Sequence, residues 1–265
     1  MYLSPPYEGM DDYFADVPRV LVRRALKKVG LPASTDVGIL ATVIKNLRAK
    51  IEFDLDITVT DAVLATTHLE AIYEDDVEDI CENAGFQHVT PKRAYRPMIY
   101  ETGAAYGGYG FGWCKHWQND TQCQKENVEL PAISILGVHY SETALTSTLA
   151  YIQTPVAPWE GYGHRVENFT LGSDAKTRYE REDDYWNDVK GAILKRMIET
   201  PSLRKPEMII VTGDMTSDDD FQSVLKDGLE EHLGWVPPIY SGDAAVAAAK
   251  GAAELRRRGK APWSR

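Results

Sequence analysis

Residues 101–114, ETGAAYGGYGFGWC, hold five glycines and two alanines, and glycine at that density suits two structures with very different chemistry. A phosphate loop needs glycines at a strand-to-helix turn, so that backbone N–H groups converge on the anion. Gly103, Gly107, Gly108, Gly110 and Gly112 match neither the dinucleotide fingerprint nor the P-loop, no Lys-Ser/Thr pair follows, and Pro97 sits just upstream. Read as a helix instead, Gly103, Ala104, Gly107 and Gly108 share one side at i, i+4 spacing. Each glycine costs up to about 1 kcal/mol of helix propensity relative to alanine, and close approach of a second backbone is what offsets it. Ala244, Ala247, Ala248 and Gly251 give the last helix of the chain an equally bare face. The two helices are therefore expected to cross closely, with Tyr106, Tyr109 and Leu255 pointing elsewhere.

His139, with Tyr140 and Glu142, marks the polar tip of AISILGVHYSETALTSTLAYIQ, which reads as a hairpin. An imidazole facing a cleft there could transfer protons, although a hairpin histidine is also an ordinary surface residue. Asp61 and His68 flank a strand end and join the set that could line the same cleft. The acidic runs EDDVED (74–79) and SDDDF (217–221) lack the glycine and glutamate spacing of a calcium loop. Negative charge at helix N-termini explains both, and no metal is expected. Trp113, Trp117, Trp159, Tyr109 and Tyr162 suit an apolar ligand pocket or a protein interface as well as a core.

The composition, 43% apolar and 26% charged over 265 residues, is that of a globular chain with a substantial core. A net charge of -11 excludes a general nucleic-acid binder, which needs a basic surface. Arg256, Arg257 and Arg258 read as a solvated helix end. No apolar run approaches membrane-helix length, and the polar start MYLSPPYEGMDDYF does not read as a signal peptide. The expectation is a cytoplasmic protein without membrane contact. Cys81, Cys114 and Cys123, odd in number and without metal-ligand spacing, then read as reduced thiols. The sequons at Asn119 and Asn168 carry no weight without a secretory signal.

Elements that would position these residues follow from periodicity. RVLVRRALKKVG forms a helix with Val22, Ala25, Leu26 and Val29 on its apolar face, ended by Gly30. A second helix starts after STD and carries Ile39, Leu40, Val43, Ile44 and Leu47. ITVTDAVLAT reads as β, followed by an acidic helix from about Glu74 to Ala84 and a short strand, FQHVT. Beyond the hairpin, RVENFTLGS adds a strand, and a helix around Asp183 to Glu199 packs through Tyr185, Trp186, Val189, Ile193 and Met197. EMIIVTGD is a buried strand and turn, then a helix carries Phe221, Val224, Leu225, Leu229 and Leu233. Extended WVPPIY and the helix AAVAAAKGAAELRRR close the chain. Alternating strands and helices make the class α/β, in two lobes.

With these elements in order, the chain resembles the actin-like ATPase-domain superfamily shared by actin, sugar kinases and heat-shock chaperones, a ribonuclease H-like fold of two lobes. YETGAAYGGYG resembles the first connecting segment, MIIVTGDMTSDDDFQSVLKDGL the adenosine segment, and SGDAAVAAAKGAAELRR the second connecting helix. ITVTDAVLATTHLEAIYEDDVEDICENAGFQHVT resembles the strand–helix–strand before the first connection. The likeness runs from about Asp36 onward and is nearest to fungal actin-like ATPase-domain proteins. It implies lobes of residues 1–130, ending in the first connecting helix, and 131–265, holding the second phosphate hairpin, the adenosine segment and the second connecting helix.

The departures decide what the resemblance implies for function. Nothing before Asp36 resembles the first phosphate hairpin, and the lid subdomain is reduced. In GVHYSET, Gly137 stands where the second phosphate hairpin has its Asp, and His139 and Tyr140 where glycines admit the phosphate. An Mg²⁺-bound triphosphate needs oxygen ligands and a backbone cradle, so efficient ATP hydrolysis is not expected and neither ATP nor Mg²⁺ is assigned. Glu101 matches the Glu that orients the attacking water; it also serves a helix N-terminus as a plain first-turn carboxylate. Asp214, beside Gly213, falls at the mouth of the implied interlobe cleft, or is simply a turn residue. By the same correspondence Gly137, Tyr140, Ser141, Thr143, Gly213, Met215 and Asp61 would contact a ligand.

The expected protein is a pseudoenzyme that binds a small molecule or a protein partner between its lobes, with homo-oligomer formation through the truncated lobe. The alternative is an enzyme of fungal secondary metabolism that uses Glu101, His139 and Asp214 for acid–base isomerisation, dehydration or cyclisation of an apolar metabolite. A third reading is a residual nucleotide-binding ATPase completed by a second chain.

Overall fold

A computed structural model describes residues 10–69, 72, 74–89, 99–156, 158–159 and 165–259. The class is mixed α/β with a mixed sheet, and the described residues fall into two compact units: 10–64 with 69–89, and 65–68 with 99–259. The division falls ahead of the glycine-rich helix, whereas the expected lobes meet at residue 130. Among the described residues, no helix is long and apolar enough to cross a membrane.

The first unit comprises α1 (Met10–Lys28), α2 (Thr35–Leu55), β1 (Asp61–Ala62), α3 (Glu74–Ala84) and β3 (Gln87–His88). Ser34 caps α2, its hydroxyl accepting from Val37 N at 3.1 Å, as the STD cluster predicts. Val37 and Ala41 of α2 pack with Ile80, Cys81 and Ala84 of α3 and with Phe86. The helix α1 differs from expectation. Its charged side meets α3: Arg19 pairs with Asp75 at 3.3 Å, Arg23 with Asp76 and Asp79, and Lys27 with Asp79 and Glu82. Val22 and Val29, expected inside, are 58% and 70% exposed, because the carboxylates of EDDVED capture the cationic face and turn the apolar one outward. Asp75, Asp76 and Asp79 of that acidic run are engaged in these ion pairs. The strand-like run ITVTDAVLAT pairs only at β1, parallel to β3, and at β2 (Ala65–Thr66), which belongs to the second unit.

The second unit is built on one sheet. The strands β5 (Ile133–Tyr140) and β6 (Leu145–Ile152) form the expected antiparallel hairpin. On one side β9 (Met208–Thr212) runs parallel to β5, and β10 (Ile239–Tyr240) parallel to β9. On the other side β7 (Pro158–Trp159) and β8 (Arg165–Asn168) pair with opposite ends of β6. Helices cover both faces. Leu136, Val138 and Tyr140 of β5 and Ile209 and Val211 of β9 pack against α6 (Glu182–Glu199) and α7 (Asp219–Leu233) through Tyr185, Val189, Ile193, Phe221, Leu225 and Leu229. The alternate residues Ile135 and Ile210 pack against α4 (Glu101–Gly108) and α8 (Ala247–Gly259) through Ala105, Tyr106 and Ala247. Side chains alternate faces along a strand, so Gly137, His139 and Thr212 point to the α4/α8 side.

The glycine-rich stretch divides into a helix and a turn: α4 ends at Gly108, and Gly110 and Gly112 take positive φ of 90° and 69°. As expected from the bare faces, α4 and α8 touch backbone to backbone. A methyl placed on Gly108 would lie 2.0 Å from Ala247 O, and one on Gly251 1.7 Å from Ala104 O. Replacing Gly251 by alanine is thus predicted to lower stability by about 1–3 kcal/mol, in spite of a gain of about 1 kcal/mol in helix propensity. Gly191, inside α6, has nothing within 4 Å of such a methyl, and Gly191→Ala should raise stability by about 0.5–1 kcal/mol. Urea unfolding of the three proteins checks both signs.

Candidate active site

The end of β4 (Ile99–Tyr100), which pairs parallel with β2, delivers the chain into α4. Tyr100 supplies no side-chain cap; Glu101 instead puts a carboxylate in the first turn, where the helix dipole favours it. Thr102 locks the helix start to the sheet. Its side chain fills the space above Gly137, where a methyl would lie 2.2 Å from Oγ1, and Oγ1 is 2.8 Å from His68 Nε2. His68 stacks on Tyr100 at 4.7 Å, and the Arg165 guanidinium lies 4.7 Å from the centre of the same ring.

Two residues along β5 from Gly137, on the same face, His139 meets Glu101. Nδ1 is 3.1 Å from each carboxylate oxygen, and Thr212 Oγ1, on the neighbouring strand, is 3.3 Å away. A carboxylate only accepts, so Nδ1 carries the proton. Nε2 has no hydrogen-bond partner among the described residues. The pair is mostly shielded, with side chains 20% (His139) and 15% (Glu101) exposed. Burial pulls the imidazole pKa down most strongly, but the Glu101 hydrogen bond, the Glu101 charge and the Asp214 charge outweigh it, and the net shift is upward. Glu101 is thus in direct contact with His139, and Asp214 reaches the ring through its charge. They lie at the carboxyl ends of the parallel strands β5 and β9, the edge where open α/β sheets place ligands.

The residues of the hairpin turn are taken up differently. Tyr140 is fully buried; its ring stacks on Phe221 at 4.4 Å and its hydroxyl lies 2.8 Å from that of Tyr185. It is a core residue, not a ligand contact, because the strand alternation that turns His139 out turns Tyr140 in. Gly137 is covered by Thr102. Gly213, at φ 108°, presses on the Tyr140 backbone, where a methyl would lie 2.1 Å from the carbonyl oxygen. The turn's backbone is committed as well: Ser141 N donates to Ala144 O, while Ser173 N and Asp174 N donate to Ser141 O and Glu142 O. Met215 packs against the core beneath α6 and α7, and Thr143 is exposed. Asp61 belongs to the first unit. Among the described residues, no cluster of histidine, cysteine and carboxylate groups is arranged to hold a metal. Asp218 caps α7 by accepting from Asp220 N and Phe221 N, which explains SDDDF.

Two expectations elsewhere change. Cys114 and Cys123 form a disulfide, with Cα atoms 5.2 Å apart, and only Cys81 is free; the expectation of three reduced thiols is corrected. The unexpected helix α5 (Asp120–Glu129), capped by Asn119, carries Cys123 back under Cys114. Trp113 and Trp117 lie beneath Arg258 and Arg257, and Tyr109 packs on Tyr240; the Trp159 side chain and Tyr162 fall outside the described residues. Thr102 and Thr212 carry no signal by type: the first is brought in by the start of α4 and the second by the β5–β9 register.

No protein-family model matches this chain, and no curated protein matches it.

The upward shift of His139 has a sign that can be measured. A raised folded-state pKa contributes stability that is complete below the ordinary imidazole value of about 6.5 and disappears as pH rises through the folded midpoint. In an NMR titration His139 should turn over above the ordinary range. In Glu101→Gln the midpoint should fall, and the variant's loss of stability should be larger at low pH than at high pH.

Proposed function

We propose that this chain is a degenerate relative of the actin-like ATPase domain that binds a small ligand at the Glu101–His139 pair and does not hydrolyse ATP efficiently. The observation that carries the reading is the pair itself: a shielded imidazole held by a carboxylate, with its second nitrogen uncommitted, at the carboxyl edge of the sheet. The order of elements supports the kinship. A hairpin, a helix, a parallel strand ending in a glycine turn, a helix and a last helix crossing the glycine-rich one follow the sequence of segments that the resemblance implies. The state of the hairpin supports the loss of ATP turnover, since Ser141 N and Ala144 N are bonded within the turn and Tyr140 is packed into the core. Among the described residues no lysine or arginine pairs with Glu101, His139 or Asp214, and the two carboxylates repel a polyanion.

Acid–base chemistry is the second reading, and one feature favours it. A histidine whose Nδ1 is oriented by a carboxylate presents Nε2 as a proton acceptor or donor, the arrangement that an isomerisation, dehydration or cyclisation of an apolar metabolite would use.

Thermal unfolding with millimolar Mg·ATP and Mg·ADP tests the reading. No stabilisation is expected, whereas a nucleotide at a hundred times its dissociation constant would add about 2.7 kcal/mol and favour a residual ATPase. A library of small hydrogen-bonding fragments, screened by NMR, should give hits that move the His139 resonances and are lost in His139→Ala. A library that never touches His139 contradicts the proposal.

A further inference from the structure

We propose that the Cys114–Cys123 disulfide is a redox latch: a dithiol reductant opens it, α5 undocks, and the last turn of α8 is freed. The inference starts from α5, whose only buried residue is Cys123; Val128, its largest apolar residue, is 81% exposed. A helix of ten residues is marginal on its own in water, so this one depends on its attachments. Among the described residues, several noncovalent ties around it are polar. Lys115 N and His116 N donate to Glu126 at 2.7 and 3.1 Å, and the His116 ring pairs with the same carboxylate at the surface. Gln153 Nε2 donates to Leu130 O at 2.6 Å. The His116 side of its ion pair is exposed, and surface ion pairs contribute little net stability; the covalent bridge supplies the anchor.

The other end of the bridge holds α8. Arg258 Nη1 donates to Cys114 O at 3.2 Å, and its guanidinium lies 4.5 Å from the Trp113 ring centre. Arg257 lies 4.9 Å from the centre of Trp117. Trp113 in turn donates its indole N–H to Gly107 O at 2.8 Å, so the loop braces the ends of both crossing helices. Freeing the loop removes the brace from α8.

In the reducing step a thiolate of the dithiol attacks one sulfur of the bridge, giving a mixed disulfide and releasing the other cysteine. The second thiol of the reductant then displaces the remaining cysteine. Two electrons pass to the bridge, the dithiol's two protons end on Cys114 and Cys123, and the reductant leaves as a cyclic disulfide. Cys81 does not compete: burial above all, with the Glu78 charge, pushes its thiol up to about 12, so little of the attacking thiolate form exists at neutral pH.

The test uses the full chain, oxidised in air and then treated with dithiothreitol, beside the double variant Cys114→Ser/Cys123→Ser. Alkylation in denaturant should count one free thiol before reduction and three after. By hydrogen–deuterium exchange, amides of 114–129 and 256–259 should exchange at least about tenfold faster in the reduced form and in the double variant, while those of β5 and β9 stay equally slow. Three free thiols before reduction overturn the proposal. So does unchanged exchange in either segment, or acceleration that spreads to β5 and β9.

Discussion

At the crossing of α4 and α8 the two backbones are in contact, and most of what is distinctive in the second unit depends on it. Gly108 and Gly251 each occupy a place where even one methyl would overlap the opposite main chain. Such a contact is gained against helix propensity, about 1 kcal/mol for each glycine, and any residue with a side chain would separate the helices. It seats α4 close upon β5, and that closeness brings Thr102 over Gly137 and Glu101 to His139. The site is therefore a consequence of a packing constraint three to seven residues along α4 from Glu101 rather than of a local motif.

The sheet contributes the second constraint. Strand alternation divides β5 and β9 into an apolar face buried under α6 and α7 and a mixed face under α4 and α8. Only near the carboxyl ends of the strands does the mixed face become polar, with His139 beside Thr212. Burying an imidazole there is costly unless it is bonded, and Glu101 satisfies it. The charge of Asp214 adds to the upward pull on the ring. In the hairpin turn, by contrast, Ser141 N and Ala144 N are satisfied within the turn, and aromatic side chains surround Tyr140 in the core. In our proposal the same ancestral hairpin thus kept its shape, lost its phosphate grip and gained a titratable group.

The parts that were legible in the sequence are those whose cause is local. Small residues at i, i+4 spacing announced the α4–α8 contact, the alternating apolar runs announced the hairpin, and Ser34 and Asp218 announced two helix starts. Glu101 and His139 were visible as types, but their meeting depends on a helix laid across a strand, and Thr212 enters only through the β5–β9 register. Other features were illegible for physical reasons. The helix α5 is polar nearly all round, so it has no periodic signal, and without it the pairing of Cys114 with Cys123 could not be foreseen. In α1 the apolar stripe suggested the packed face, yet four carboxylates of α3 bind the cationic face instead. ITVTDAVLAT has strand propensity throughout, but pairing needs a neighbour, and neighbours exist only at its two short bridges.

If crowding at one point of the helix crossing is what holds Glu101 against His139, the two sites must be coupled. The direct measurement is the NMR titration of His139 in Gly251→Ala, under conditions where the variant remains folded. The account predicts that the added methyl lifts α4 away from the sheet, so that the His139 midpoint drops toward its value in Glu101→Gln. A destabilised but folded variant in which His139 titrates as in the unaltered protein would contradict it.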